Sequence, residues 1–193
     1  MERTDEEVLK DYLSGNDEKA AQMIFFRYKT RILNFCLRML GNRADAEDVT
    51  ADVFLAVFDR KYAYAAGAKF STWAYTVARN RCISQIRKRK NLVSVWFSSQ
   101  GSEGHEEWEQ EDPQDIAGRQ LEKKEEAALV RQAVRQLPYE QREAVVLREY
   151  HQLSYEEISQ ILNCSLEKVK VLIFRGRERL RAELSSLIKE EER

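Results

Sequence analysis

Helix breakers are scarce in this chain: its 193 residues include two prolines and seven glycines. Each would remove a backbone donor or add entropy cost inside a helix, so long stretches are free to coil. Ala, Leu, Glu, Arg and Lys are abundant, and that balance favours an all-helical fold. Cysteine is sparse as well. Cys36, Cys82 and Cys164 are far apart, form no C-x-x-C pair and have no His beside them. That spacing speaks against a metal centre, and the three read as reduced, mostly buried thiols. The two histidines, His105 and His151, are isolated, which leaves acid–base catalysis without a partner pair. No apolar run approaches the roughly 20 residues that span a bilayer. The opening "MERTDEEVLKDYL" lacks the apolar stretch of a secretory signal. These absences predict a cytoplasmic, non-enzymatic protein with no cofactor, no metal and no membrane insertion.

What is present is helical periodicity. "TDEE" sets Thr4 as an N-cap with Glu7 three residues on, a capping box. Val8, Leu9, Tyr12 and Leu13 follow at helical spacing, and Gly15 ends the helix. Asn16 can cap a second helix whose stripe is Ala20, Ile24, Tyr28, Ile32 and Phe35, stopping at Gly41. Asn42 caps a third, with Val49, Val53, Ala56 and Val57 on its apolar face. A loop over 59–69 precedes a fourth helix starting near Ser71. Ala74, Val77, Ala78, Cys82, Ile83 and Ile86 give that helix its core side.

The fourth helix also concentrates charge. Residues 69–90 hold seven Lys or Arg and no Asp or Glu, in a chain whose formal charge is -1. Phe70, Trp73 and Tyr75 stand at its front. Rings beside cations can stack on unpaired bases. Rings at the start of an amphipathic helix are also ordinary core residues, the stronger reading on composition alone.

Composition changes over 98–118, which is rich in Glu and Asp, has no Lys or Arg, and holds three of the seven glycines. This reads as a flexible acidic linker. It divides the chain into 1–95, a linker at 96–120, and 121–193. The last part predicts a helix over 121–137 stopped by Pro138, and another from Tyr139 to about Tyr150. Ser154 and Glu157 form a second capping box, and Asn163 stands where a left-handed residue would close a short helix. Ser165 caps a longer helix from Leu166. This is a helix-turn-helix. Its second helix carries Lys168, Lys170, Arg175, Arg177, Arg179 and Arg181, charge suited to the phosphates of a major groove.

Three ordered blocks, "GNRADAEDVTADVFLAVF", "FSTWAYTVARNRCISQIRK" and "LPYEQREAVVLREYHQLSYEEISQIL", resemble bacterial RNA polymerase sigma factors of the extracytoplasmic-function group. The resemblance implies a sigma region 2-like domain over 1–95 and a sigma region 4-like domain over 121–193. The first would dock on core RNA polymerase and bind the -10 promoter element. The second would bind the -35 element. It implies polymerase docking by Asp45, Glu47, Asp48 and Asp52. It implies -10 contacts by Arg60, Lys61, Lys69, Phe70, Trp73, Arg79, Arg81, Arg87, Lys88, Arg89 and Lys90, with a flipped base received by the loop 60–68. For the -35 element it implies Ser165, Glu167, Lys168, Lys170, Arg175 and Arg177. The linker would run near the polymerase's RNA path. An anti-sigma factor is a further candidate partner, since the family often has one.

One block departs from the family. Where many relatives have a hydroxyl and an Arg at the front of the recognition helix, this chain has Val171 and Leu172. Leu cannot bind guanine as Arg does, whereas Glu167 can accept from cytosine's amine. On this reading Lys168 and Lys170 are the leading base readers. Two rivals differ in class: a stand-alone helix-turn-helix regulator of duplex DNA, and a nuclease holding magnesium through Asp45, Glu47 and Asp48.

Overall fold

The computed structural model describes residues 3–15, 18–59, 69–97 and 121–191, and side chains within these apart from 90–97, 121–125 and 188–191. All regular structure among the described residues is helical. The chain divides into two compact units, Met1–Gly104 and His105–Arg193. The break falls inside the stretch expected as linker, of which 98–120 lie outside the described residues.

The first unit contains α1 (Asp5–Gly15), α2 (Glu18–Leu40), α3 (Arg43–Phe58) and α4 (Phe70–Phe97). Thr4 caps α1 as expected: its hydroxyl accepts from Glu7 N, and its own N–H donates to the Glu7 carboxylate. The Asn16 cap lies outside the described residues. The stripe of α2 is buried as expected, extended by Cys36 and Met39. Gly41 sits at φ 77°, the left-handed conformation that glycine adopts without a Cβ clash. It ends α2, and Asn42 then caps α3 by accepting from Asp45 N at 3.0 Å.

Aromatic rings pair between the helices of this unit. Phe35 meets Tyr75 edge-on at 5.6 Å, and Tyr28 meets Phe70 at 4.8 Å. Burying each such ring contributes roughly 1.5–3 kcal/mol. On α4, Phe70, Ala74, Ala78 and Cys82 are buried at four-residue spacing, while Val77, Ile83 and Ile86 are half-buried. Leu13 of α1, expected on the apolar stripe, is 40% exposed. Polar ties lock α1 to its neighbours. Asp5 accepts from Arg27 and from the Tyr28 hydroxyl, and Glu6 accepts from Phe70 N at 3.1 Å. Glu6 thereby satisfies a free donor at the start of α4. Burial, then the Asp5 contact, raises the Tyr28 hydroxyl well above the ordinary tyrosine pKa.

The second unit contains α5 (Leu121–Gln136), α6 (Tyr139–Val145), a π turn over Val146–Tyr150, α7 (Tyr155–Leu162) and α8 (Leu166–Glu191). The half-buried guanidinium of Arg142 donates to the carbonyls of Arg135 and Leu137, capping the end of α5. The sequence suggested one helix through Tyr150, but the ladder loosens at Val146. Gln152 at φ 56° then turns the chain, and Arg148 donates to Leu153 O at 2.8 Å while covering the Tyr155 ring.

The helix-turn-helix is α7, the turn at Asn163–Ser165, and α8. Ser154 and Glu157 form the full capping box. Asn163 adopts φ 50°, ψ 53°, the predicted left-handed closure. Gly176 explains how closely α8 packs on α6: a Cβ there would meet Val145 Cγ2 at 2.5 Å. Leu172 is 8% exposed, so it belongs to the core rather than to the exposed face of α8. Cys36 and Cys82 are buried free thiols, and Cys164 is half-buried.

Candidate nucleic-acid interface

The first unit places its acidic and basic helices side by side. Asp45, near the start of α3, has a side chain only 15% exposed. It accepts from Gln85 Nε2 at 2.9 Å, and Arg89 approaches its other oxygen at 2.5 Å as an ion pair without directed hydrogen-bond geometry. Asp52 faces Arg81 at 3.8 Å, and Glu47 pairs with Arg43 one turn earlier at 2.6 Å. Asp48 is exposed and has no partner among the described residues. The four carboxylates therefore differ. Asp45 holds α4 against α3, while Glu47, Asp48 and Asp52 remain on the surface. Carboxylates paired with Arg on one helix face do not converge on a cation. Among the described residues no group of three or more His, Cys, Asp or Glu is placed to hold a metal.

The -10 candidates also separate. Arg60 and Lys61 lie outside the described residues, as does the side chain of Lys90. Phe70 is 1% exposed and packs on Tyr28. The sequence puts Phe70 among the -10 contacts, whereas here its ring is sealed in the core of the unit and leaves no face open to a base. Tyr75 is buried against Phe35. Trp73 is half-buried, with its ring centroid 5.9 Å from that of Phe70. It is the aromatic of this segment that reaches the surface. Lys69, Arg81, Arg87 and Lys88 are exposed, and Arg79 is half-buried. Arg81 and Arg89 are partly neutralised by Asp52 and Asp45. Arg87 and Lys88 have no acidic partner among the described residues.

In the second unit Ser165 caps α8, its hydroxyl accepting from Lys168 N at 3.2 Å. Glu167 is exposed in the first turn. Lys168 lies 3.2 Å from Glu140, and Arg177 lies 2.5 Å from Glu149, a bond that raises the guanidinium pKa. Lys170 and Arg175 are exposed without an ion-pair partner among the described residues. Glu156 of α7 is held below the usual carboxylate range, first by a backbone N–H, then by the Ser154 hydroxyl.

The residue-level reading missed two exposed apolar side chains on α8, Val171 at 46% and Phe174 at 66%. The signal was available: once Val169, Leu172 and Ile173 are assigned to the core, a 3.6-residue period leaves Val171 and Phe174 outside.

The chain resembles known proteins in both of its units. Residues 24–92 match the family model of Sigma-70 region 2, and 127–180 match that of Sigma-70, region 4. The chain is 32% identical over 188 residues to the ECF RNA polymerase sigma factor SigW of Bacillus subtilis, covering 97% of this chain and all of that one. It is 26% identical over 187 residues to the RNA polymerase sigma-H factor of Pseudomonas aeruginosa, covering 94% of this chain and 95% of that one. Among solved structures it resembles the sigma factor RpoE of Bartonella quintana, crystallised with the anti-sigma factor NepR. That likeness has a TM-score of 0.69 at 22% identity, over 85% of this chain and 96% of the other. CnrH, solved with the cytosolic domain of CnrY, is similar at a TM-score of 0.67 and 18% identity, over 93% of this chain and 96% of that one.

Proposed function

The chain belongs to the sigma-70 family, as an RNA polymerase sigma factor of the extracytoplasmic-function type, and from that premise we propose how its two units divide the work. A sigma factor is not an enzyme. It gives core RNA polymerase its choice of promoter. Residues 1–95 dock on the polymerase and engage the -10 element, 96–120 link, and 121–193 bind the -35 element.

On this reading Glu47, Asp48 and Asp52 present negative charge to the polymerase, and Asp45 supports that surface by fixing α4. Arg79, Arg81, Arg87 and Lys88 follow the DNA backbone, joined by Arg89, Lys90 and Lys69. Arg60 and Lys61 belong to the loop that receives a flipped base. Trp73 stands at the melting fork, seated on Phe70 from beneath. Bases captured by protein offset the stacking lost on opening. In the second unit Ser165 fixes the start of α8, and Glu167, Lys168, Lys170, Arg175 and Arg177 face DNA. The protein works in the cytoplasm. An anti-sigma factor is a fitting regulator, because RpoE was solved with the anti-sigma factor NepR and CnrH with the cytosolic domain of CnrY.

One observation carries this reading: a single chain holds two basic helices with different chemistry. α4 adds a surface tryptophan to its cations, as separated strands require, whereas α8 sits in a helix-turn-helix suited to duplex. The test compares capture of the labelled full chain by core polymerase with its binding to free duplex. We expect stable capture by polymerase and selective promoter binding only in that complex. Tight, sequence-specific duplex binding without capture would instead describe a stand-alone regulator.

A further inference from the structure

Over the first turns of α8, up to Glu178, the middle of the exposed face carries no cation. Val169, Leu172, Ile173 and Gly176 turn inward. Opposite them run Glu167, Val171, Phe174 and Glu178, at the four- and three-residue spacing that keeps side chains on one ridge. Cations flank this ridge, with Lys170 and Arg177 on one side and Lys168 and Arg175 on the other. Val171 and Phe174 are 46% and 66% exposed, so packing within the unit does not account for them.

A helix lying in a major groove turns its outward ridge to the base edges and its flanks to the two phosphate walls. Flanking cations suit phosphates, which position a protein without reading sequence. An apolar pair on the ridge suits the one apolar group that the groove offers, the C5 methyl of thymine. We propose that Val171 and Phe174 read thymine methyls in the -35 element, and that Lys170 and Arg175 hold the phosphates beside them. This rests on the sigma-factor reading above. It moves base reading from Lys168 and Lys170 to the ridge between them. Lys168 fits the change, since Glu140 already draws it toward α6.

The test uses holoenzyme assembled from the full chain and core polymerase. A randomised library first defines the preferred -35 element. Its thymines, on both strands, are then replaced by deoxyuridine, which removes only the methyl. The element should contain thymine, and the uracil duplex should bind about 3–5-fold more weakly, the worth of one buried methyl. In holoenzyme carrying Val171→Ala and Phe174→Ala the two duplexes should bind equally, with the salt dependence unchanged. The wild-type comparison changes only the DNA, so a folding defect cannot imitate it. A preferred element without thymine, equal wild-type binding of both duplexes, or a methyl effect that survives in the variant would each overturn the proposal while leaving the sigma reading intact. If no -35 preference emerges at all, both fail.

Discussion

Asp45 of α3 and Arg89 of α4 meet at 2.5 Å, and the same carboxylate accepts a hydrogen bond from Gln85. The contact joins the acidic helix to the basic one, so part of the cation cluster is balanced inside its own unit. Arg89 is 41% exposed, and solvent screening limits the strength of the pair. In a double-mutant cycle of Asp45→Asn and Arg89→Gln, denaturant unfolding should give a coupling of about 0.5–1 kcal/mol. Strict additivity would remove Asp45 from its positioning role.

Phe70 and Trp73 should separate stability from opening. Phe70→Ala removes a sealed core ring and should cost about 3–5 kcal/mol in unfolding free energy. Trp73→Ala should cost clearly less, yet slow promoter opening followed by a fluorescent base analogue in the -10 element. Normal opening by a folded Trp73→Ala variant would mark Trp73 as packing only.

Arg87 and Lys88 of α4, which have no acidic partner among the described residues, make a salt-dependence prediction. Arg87→Gln with Lys88→Gln should flatten the slope of log binding against log salt by roughly 1.8, at about 0.9 per lost phosphate contact. Base preference should stay the same, because phosphate contacts position rather than specify. An unchanged slope would make both residues plain surface charge.

Gly176→Ala tests the close approach of α8 to α6. Helix propensity alone predicts stabilisation by about 0.8–1 kcal/mol. The 2.5 Å approach to Val145 predicts the reverse, since overpacking a core costs about 1–3 kcal/mol. Chemical unfolding of the second unit's transition decides the sign.

Local signals made much of this fold legible. The Thr4–Glu7 and Ser154–Glu157 boxes, the Asn42 cap and the left-handed Asn163 stand where the sequence placed them, because each depends on neighbours within a few residues. Side-chain fate across elements was harder to read. Asp45 resembles its acidic neighbours in sequence, and only the packing of α3 on α4 turns it toward Arg89. Phe70 and Trp73 are three residues apart on one helix, yet the edge of Tyr28 takes one and leaves the other near solvent. The change to a π turn at Val146 also had no local signature, since nothing in "EAVVLREY" breaks a helix.

The central claim is tested most directly by transcription itself. Core polymerase and the purified chain are mixed with a randomised promoter library under conditions that exclude ATP hydrolysis for opening. Transcripts should start at defined sites downstream of a shared pair of elements, only when the chain is present. Equal transcription with and without the chain, or tight operator binding that never opens a promoter, would contradict the account.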